Sequence, residues 1–291
     1  MVKKLKVEKR DIIYRTLRLV FKNIFEHEIL KSAAALAYYL MFALFPLLIF
    51  VSNLLGVLDL NVTGITQGLE RFLPQDVTVI LGTYLDYVSE NSSHALLWFS
   101  LVFTIWFPMR AVKGLMDDVR TAYHLGRPKK PAIYRVRQLA YTIILLVVIA
   151  VTLVLATIGQ HVLEFANSQV PANILQFSDL FMGIWQYVRF IPMALLMYLA
   201  IGILYAGSMD EKPTHRAFTP GILTALILWM VVSVAFSFYV ENFANYSIIY
   251  GALGAVIVLL MWLYLTAIIL ILGAEVNAAL LTVRSEMTGS Y

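Results

Sequence analysis

Hydrophobic positions along this chain gather into six long runs, at about 33–58, 95–115, 139–158, 188–206, 220–241 and 248–274. Each is close to the ~20 residues that a helix needs to cross the hydrocarbon core of a bilayer. The last run carries no charge from Ile248 to Ala274 and stops at Glu275. Between the runs the pattern changes. In residues 8–31, Ile13, Leu17, Val20 and Ile24 recur at helical spacing while Arg15, Arg18 and Lys22 take another face. That pattern predicts an amphipathic helix, either lying in the headgroup region or packed under a bundle. In residues 59–94, Leu69, Phe72 and Leu73 form one apolar cluster, and Val77, Ile80, Leu81, Tyr84, Leu85 and Val88 keep helical spacing after Pro74. This predicts an amphipathic helical pair on, or dipping into, the outer leaflet. The expected fold class is therefore all-α, a polytopic membrane protein with six transmembrane helices. Its organisation is an N-terminal segment 1–31, a membrane domain 32–284 and a tail 285–291.

Composition adds to this picture chiefly through charge. Of 22 Lys and Arg, nine precede the first run, eight lie between Arg110 and Arg137, two are Lys212 and Arg216, and one is Arg284. Only Arg71 and Arg189 fall in the alternate segments. Cytoplasmic loops of membrane proteins carry such an excess of basic residues, so both termini are expected on the cytoplasmic side. The same distribution explains the net charge of +4 without a nucleic-acid partner; membrane lipids are the expected partners. The first long apolar run starts only at Ala33, later than a cleavable signal peptide would place it.

Candidate chemistry is sparse. The chain has no cysteine, which removes thiolate nucleophiles and cysteine-held metals. His27, His94, His124, His161 and His215 show no pair at metal-ligand spacing on one helical face, and there is no phosphate-binding or dinucleotide fingerprint. Asp117-Asp118 and Asp210-Glu211 are adjacent pairs in basic or turn surroundings and read as solvated loop charge. No enzyme, cofactor or metal is expected. The polar residues that stand out are those a transporter would use. Arg189 opens the fourth run on the outer side, where a guanidinium either anchors the helix at the interface or meets an anionic head group. Arg110 and Lys113 lie at the inner end of the second run, Arg110 about 16 residues or roughly 24 Å in, and either snorkel or bind the same kind of group. Glu275 is expected to pair with Lys113 or Arg110, as a structural bridge or a proton-coupling site. Pro46, Pro108 and Pro192 are expected to bend three spans, and Gly251 and Gly254 to admit a close neighbour.

The AAALAYYLMFALFPLL of the first run, the FLP at 72–74 and YGALGAVIVLLMWLYL with LGAEVNAAL in the last run resemble the YihY/BrkB family over about 25–285. These are bacterial inner-membrane proteins once called ribonuclease BN, a label generally regarded as an error. The resemblance implies an integral plasma-membrane protein, linked in some members to serum resistance or to export of lipid-like envelope precursors. The leading expectation is a transporter or flippase-like protein for an anionic amphiphile, a phospholipid or lipid-linked envelope precursor. The alternative is a non-transporting scaffold for envelope proteins. A small-anion pore and a membrane ribonuclease rank below both.

Overall fold

The computed structural model describes residues 9–57, 93–169, 190–209, 219–243 and 252–288, together with Thr83 and Tyr87. Among these the elements are α-helices: α1 (Lys9–Glu26), α2 (Ile29–Val57), α3 (His94–Ala122), α4 (Pro131–Gln169), α5 (Phe190–Gly207), α6 (Thr219–Phe243) and α7 (Ala252–Thr288). Each apolar run becomes one helix of α2–α7. Five of these are long and apolar enough to cross a membrane, and the apolar helix Ala194–Gly207 is shorter. The fold is all-α. The amphipathic pair expected over 59–94 lies outside the described residues, apart from Thr83, Tyr87 and the start of α3.

Several helices outrun the spans that hydropathy predicts. α4 has 39 residues and α7 has 37, so at 1.5 Å per residue each is more than ~50 Å long, well beyond a ~30 Å core. A proline opens α4 at its first position, where no backbone N–H is needed. α3 continues past Leu115 to Ala122 and stops in a Schellman turn. There Leu125 N–H bonds Arg120 O at 2.8 Å, His124 N–H bonds Thr121 O at 2.9 Å, and His124 adopts φ 52°. The break between α1 and α2 is similar: Glu28 adopts φ 50° and Glu28 N–H reaches Phe25 O at 3.3 Å. Its carbonyl then accepts Lys31 and Ser32 N–H at 3.0 and 3.1 Å, which starts α2.

Going round the bundle, α2 packs on α3, α3 on α4, α4 on α5, α5 on α6, α6 on α7, and α7 back on α2, with α1 lying against α7 and α2. The helices alternate in direction. The starts of α2, α4 and α6 meet the ends of α3, α5 and α7 at one end, called here the basic end after Lys113, Arg120, Arg135, Arg137 and Arg284. The core lies there. It is built from Ile29, Ala33 and Leu36 of α2, Val112 to Ala122 of α3, Ile201 to Tyr205 of α5, Ile222 of α6 and Ala267 to Ala278 of α7. At the far end, among the described residues, the α2–α3 pair keeps a buried seam through Asn53, Ser100 and Thr104, and α7 buries Gly254. Asn53 Oδ1 accepts Ser93 N–H at 3.1 Å and so ties the two far ends together.

A buried polar site at the basic end

Two contacts bring the helices of the basic end unusually close. A Cβ on Gly221 of α6 would stand 2.1 Å from Gly273 O and 2.5 Å from Asn277 Cγ. A Cβ on Gly273 of α7 would stand 2.6 Å from the Tyr205 hydroxyl of α5. Only glycine fits at either place. Gly221 N–H donates to Asn277 Oδ1 at 2.7 Å, and the Tyr205 hydroxyl donates to Leu270 O. Three helices thus meet through two glycines and two buried polar side chains, the kind of contact that holds helices together in lipid.

One turn along α7, Glu275 is 1% exposed. Its carboxylate accepts Asn23 Nδ2 at 2.8 Å and meets His27 Nδ1 at 2.5 Å. Both partners come from α1 and the turn after it, about 250 positions away in sequence. Asp118 of α3 lies within electrostatic reach of Glu275 and accepts a hydrogen bond from Ser32 of α2. The site therefore draws one side chain or more from α1, α2, α3 and α7. The His27 ring also meets the His124 ring edge-on, with centroids 5.5 Å apart. No group of three or more His, Asp or Glu is arranged to hold a metal among the described residues.

A second buried group closes the basic end on its other side. Arg120 donates to Ser208 O at 2.8 Å and to Gly126 O at 2.6 Å, and its guanidinium lies 5.5 Å from the centre of the Tyr134 ring. Tyr134 donates to Asp117 Oδ1 at 3.0 Å, and Lys113 pairs with Asp117 Oδ2 at 3.1 Å. Arg137 Nη1 donates to Met209 O at 3.1 Å. These contacts tie the turn after α3 and the end of α5 to the first turns of α4.

The residues singled out from sequence do not form one site. Glu275 does not pair with Lys113 or Arg110; its partners are Asn23 and His27, and Lys113 is engaged by Asp117 instead. Arg110 is exposed and stacks 4.9 Å over Trp106. Asp117 and Asp118 are not solvated loop charge: they sit in the last turns of α3 and each has a partner. Arg189 lies outside the described residues, as does Gly251. Gly254 is buried, and close approaches to other helices are seen at Gly207, against the Tyr141 ring of α4, and at Gly221 and Gly273. α2 and α3 run as helix through Pro46 and Pro108. Pro192 lies within α5, but its side chain is outside the described ones. Sequence reasoning missed Asn23, His27, Asp118 and Arg120. The one available signal was the i, i+4 spacing of Asn23 and His27, which continues a stripe through Thr16 and Val20.

A sequence profile described as Virulence factor BrkB matches residues 20–289. The chain belongs to the virulence factor BrkB family. Its glycine and Glu275 contacts all lie inside the matched region. The chain is similar to the putative ribonuclease-like protein YfkH of Bacillus subtilis (strain 168), with 31% identity over 91% of this chain and 94% of that protein. It is also similar to a UPF0761 membrane protein of Xanthomonas campestris, with 26% identity over 92% of this chain, and spans 61% of that relative's length. A UPF0761 membrane protein of Vibrio parahaemolyticus is 24% identical over 90% of this chain and 81% of its own. No solved structure matches. The BrkB profile, the relatives' names and the apolar helices together make this an integral membrane protein.

Proposed function

We propose that this BrkB-family chain moves an anionic amphiphile, a phospholipid or lipid-linked envelope precursor, between the leaflets of the bacterial plasma membrane. In this reading the basic end and both termini face the cytoplasm, as the positive-inside pattern supports. The observation that carries it is the lopsided packing of α4–α7. No described side chain is buried from Ile143 to Val151 of α4, from Ala194 to Leu199 of α5, from Leu226 to Val240 of α6, or from Val256 to Thr266 of α7. A helix in a bundle that faces only lipid on one side normally buries its other side; here the inward positions are half-buried at most, and α6 meets α7 through Trp229, Trp262 and Thr266. Such a half-bundle suits a crevice open towards the far leaflet and sealed at the basic end by the Glu275 and Arg120 groups. Alternating access needs one sealed end and one open end.

Within this proposal Arg189 contacts the anionic head group on the outer side, and Arg110 and Lys113 receive it on the inner side. The reading needs no bond-making chemistry. Asp117, Asp118 and Glu275, the nearest thing to an acidic cluster, are occupied by Lys113, Tyr134, Ser32, Asn23 and His27, which weighs against a metal-dependent nuclease. The scaffold reading draws support from one feature, the exposed aromatics Tyr38, Phe42 and Phe45 of α2, with Phe42 against Phe107 of α3 and the row continuing through Phe103 to Phe99. Translocation of a fluorescent phosphatidylglycerol in proteoliposomes separates the two. Transport predicts accelerated movement, reduced in Arg189→Ala with unchanged expression. No acceleration with folded protein and several lipid classes would leave the scaffold.

A further inference from the structure

Helix α1 has three distinct faces. Thr16, Val20 and Asn23, continued by His27, are turned towards α7 and α2 and are buried or nearly so. Asp11, Arg15, Arg18, Lys22 and Glu26 form a charged face. Between them runs a strip of Ile13, Tyr14, Leu17, Phe21 and Phe25, which keep 58–67% of their surface exposed. At 100° per residue these five fall within one third of the helix circumference. The face that docks on the protein mixes Thr16, Asn23 and His27 with Val20 and Ile24, while the larger apolar strip is left uncovered.

The position of α1 says what covers that strip. Asn23 and His27 touch Glu275, the residue at which the uncharged run of α7 ends. The helix therefore lies at the depth where the bilayer hydrocarbon gives way to head groups. Its charged face carries Arg15, Arg18 and Lys22, and Lys3, Lys4 and Lys6 precede it in sequence. Apolar strip, adjoining basic flank and interfacial depth are what a surface-lying helix on an anionic leaflet requires. We propose that α1 lies in the membrane surface, with Ile13, Tyr14, Leu17, Phe21 and Phe25 among the acyl chains and Arg15, Arg18 and Lys22 on anionic head groups. The same helix presents Asn23 and His27 to Glu275, so lipid contact on one face holds the buried carboxylate's partners in place on the other. This does not depend on whether the protein transports anything.

The absence of cysteine in the sequence makes a direct test simple. Full-length protein carrying Phe21→Cys, or Leu17→Cys as a second reporter on the strip, is labelled with a polarity-sensitive fluorophore; Asp11→Cys reports on the charged face. Each is placed in nanodiscs of phosphatidylcholine alone or with phosphatidylglycerol, and nitroxide lipids labelled near the head group serve as quenchers. The expected result is strong quenching of the strip labels and weak quenching of the Asp11→Cys label. The contrast should grow with phosphatidylglycerol and shrink in the Arg15→Gln/Arg18→Gln background. Strip labels quenched no more than the Asp11→Cys label would overturn the proposal, whether water or a second protein copy covers the strip. Strip quenching that ignores phosphatidylglycerol and the two arginines would overturn the assignment of the basic flank to anionic head groups.

Discussion

The two halves of this bundle are built from the same six helices but on different terms. At the basic end, α5, α6 and α7 touch through Gly221, Gly273 and Tyr205, and buried polar side chains find partners across helices. At the far end, α4–α7 are apolar and half-buried or exposed at most described positions; Ile149, Val231 and Val234 are among the exposed side chains. Lipid tails are as apolar as these residues, so there is no hydrophobic gain in pressing such surfaces together. Small residues and satisfied polar groups provide the attraction, and they are concentrated at one end. α2 and α3 are the exception: they stay together along their length, and at their far seam Asn53 Oδ1 accepts Ser93 N–H across the pair.

This contrast can be broken most severely at the glycine crossing. Gly221→Leu would force side-chain atoms into the Gly273 carbonyl, 2.1 Å from the first added carbon. Backbone cannot yield as a side chain would, so a loss of roughly 3 kcal/mol or more is expected, read as failure to purify a monodisperse protein. Glu275→Ala comes next. It strands Asn23 and His27, and the expected loss is about 3 kcal/mol, less for the partly exposed histidine side. Glu275→Gln keeps the volume and an acceptor for Asn23 and should lose less than half as much. Thermal unfolding in detergent compares the two. Arg120→Ala leaves Gly126 O and Ser208 O without their donor and should cost about 2 kcal/mol by the same measurement. At the bottom of the scale, Lys113→Ala breaks a half-exposed pair and should cost about 0.5 kcal/mol. Val234→Ala, in the far half where that side chain is 72% exposed, should be within about 0.5 kcal/mol of wild type.

How far these features were legible in the sequence follows from their physics. The six spans were readable because an uncharged run of sufficient length has few alternatives. Their ends were not, because α3, α4 and α7 extend as amphipathic helix beyond the hydrophobic run, where hydropathy no longer marks them. Glu275 was legible as an oddity, a carboxylate ending an apolar run, but its partners were not. Asn23 and His27 reach it only because α1 folds back onto α7, a contact between the two ends of the chain. A shared membrane depth at the inner ends of their spans had pointed instead to Lys113 and Arg110. Gly221 and Gly273 were passed over in favour of Gly251 and Gly254 since spacing alone does not tell which glycine faces a neighbour.

The claim that most needs a direct test is that the far half of the bundle holds a crevice open to water while the basic end is sealed. Single cysteines placed along α6 from Ile222 to Phe238, in a chain that has none, would be exposed in proteoliposomes to a membrane-impermeant maleimide. The account predicts protection at Ile222 and Ala225 and a reactive stripe, recurring at helical spacing, beyond Leu226. A far half that is unreactive at every position would mean that lipid or packed helices surround α6 throughout, and would contradict it.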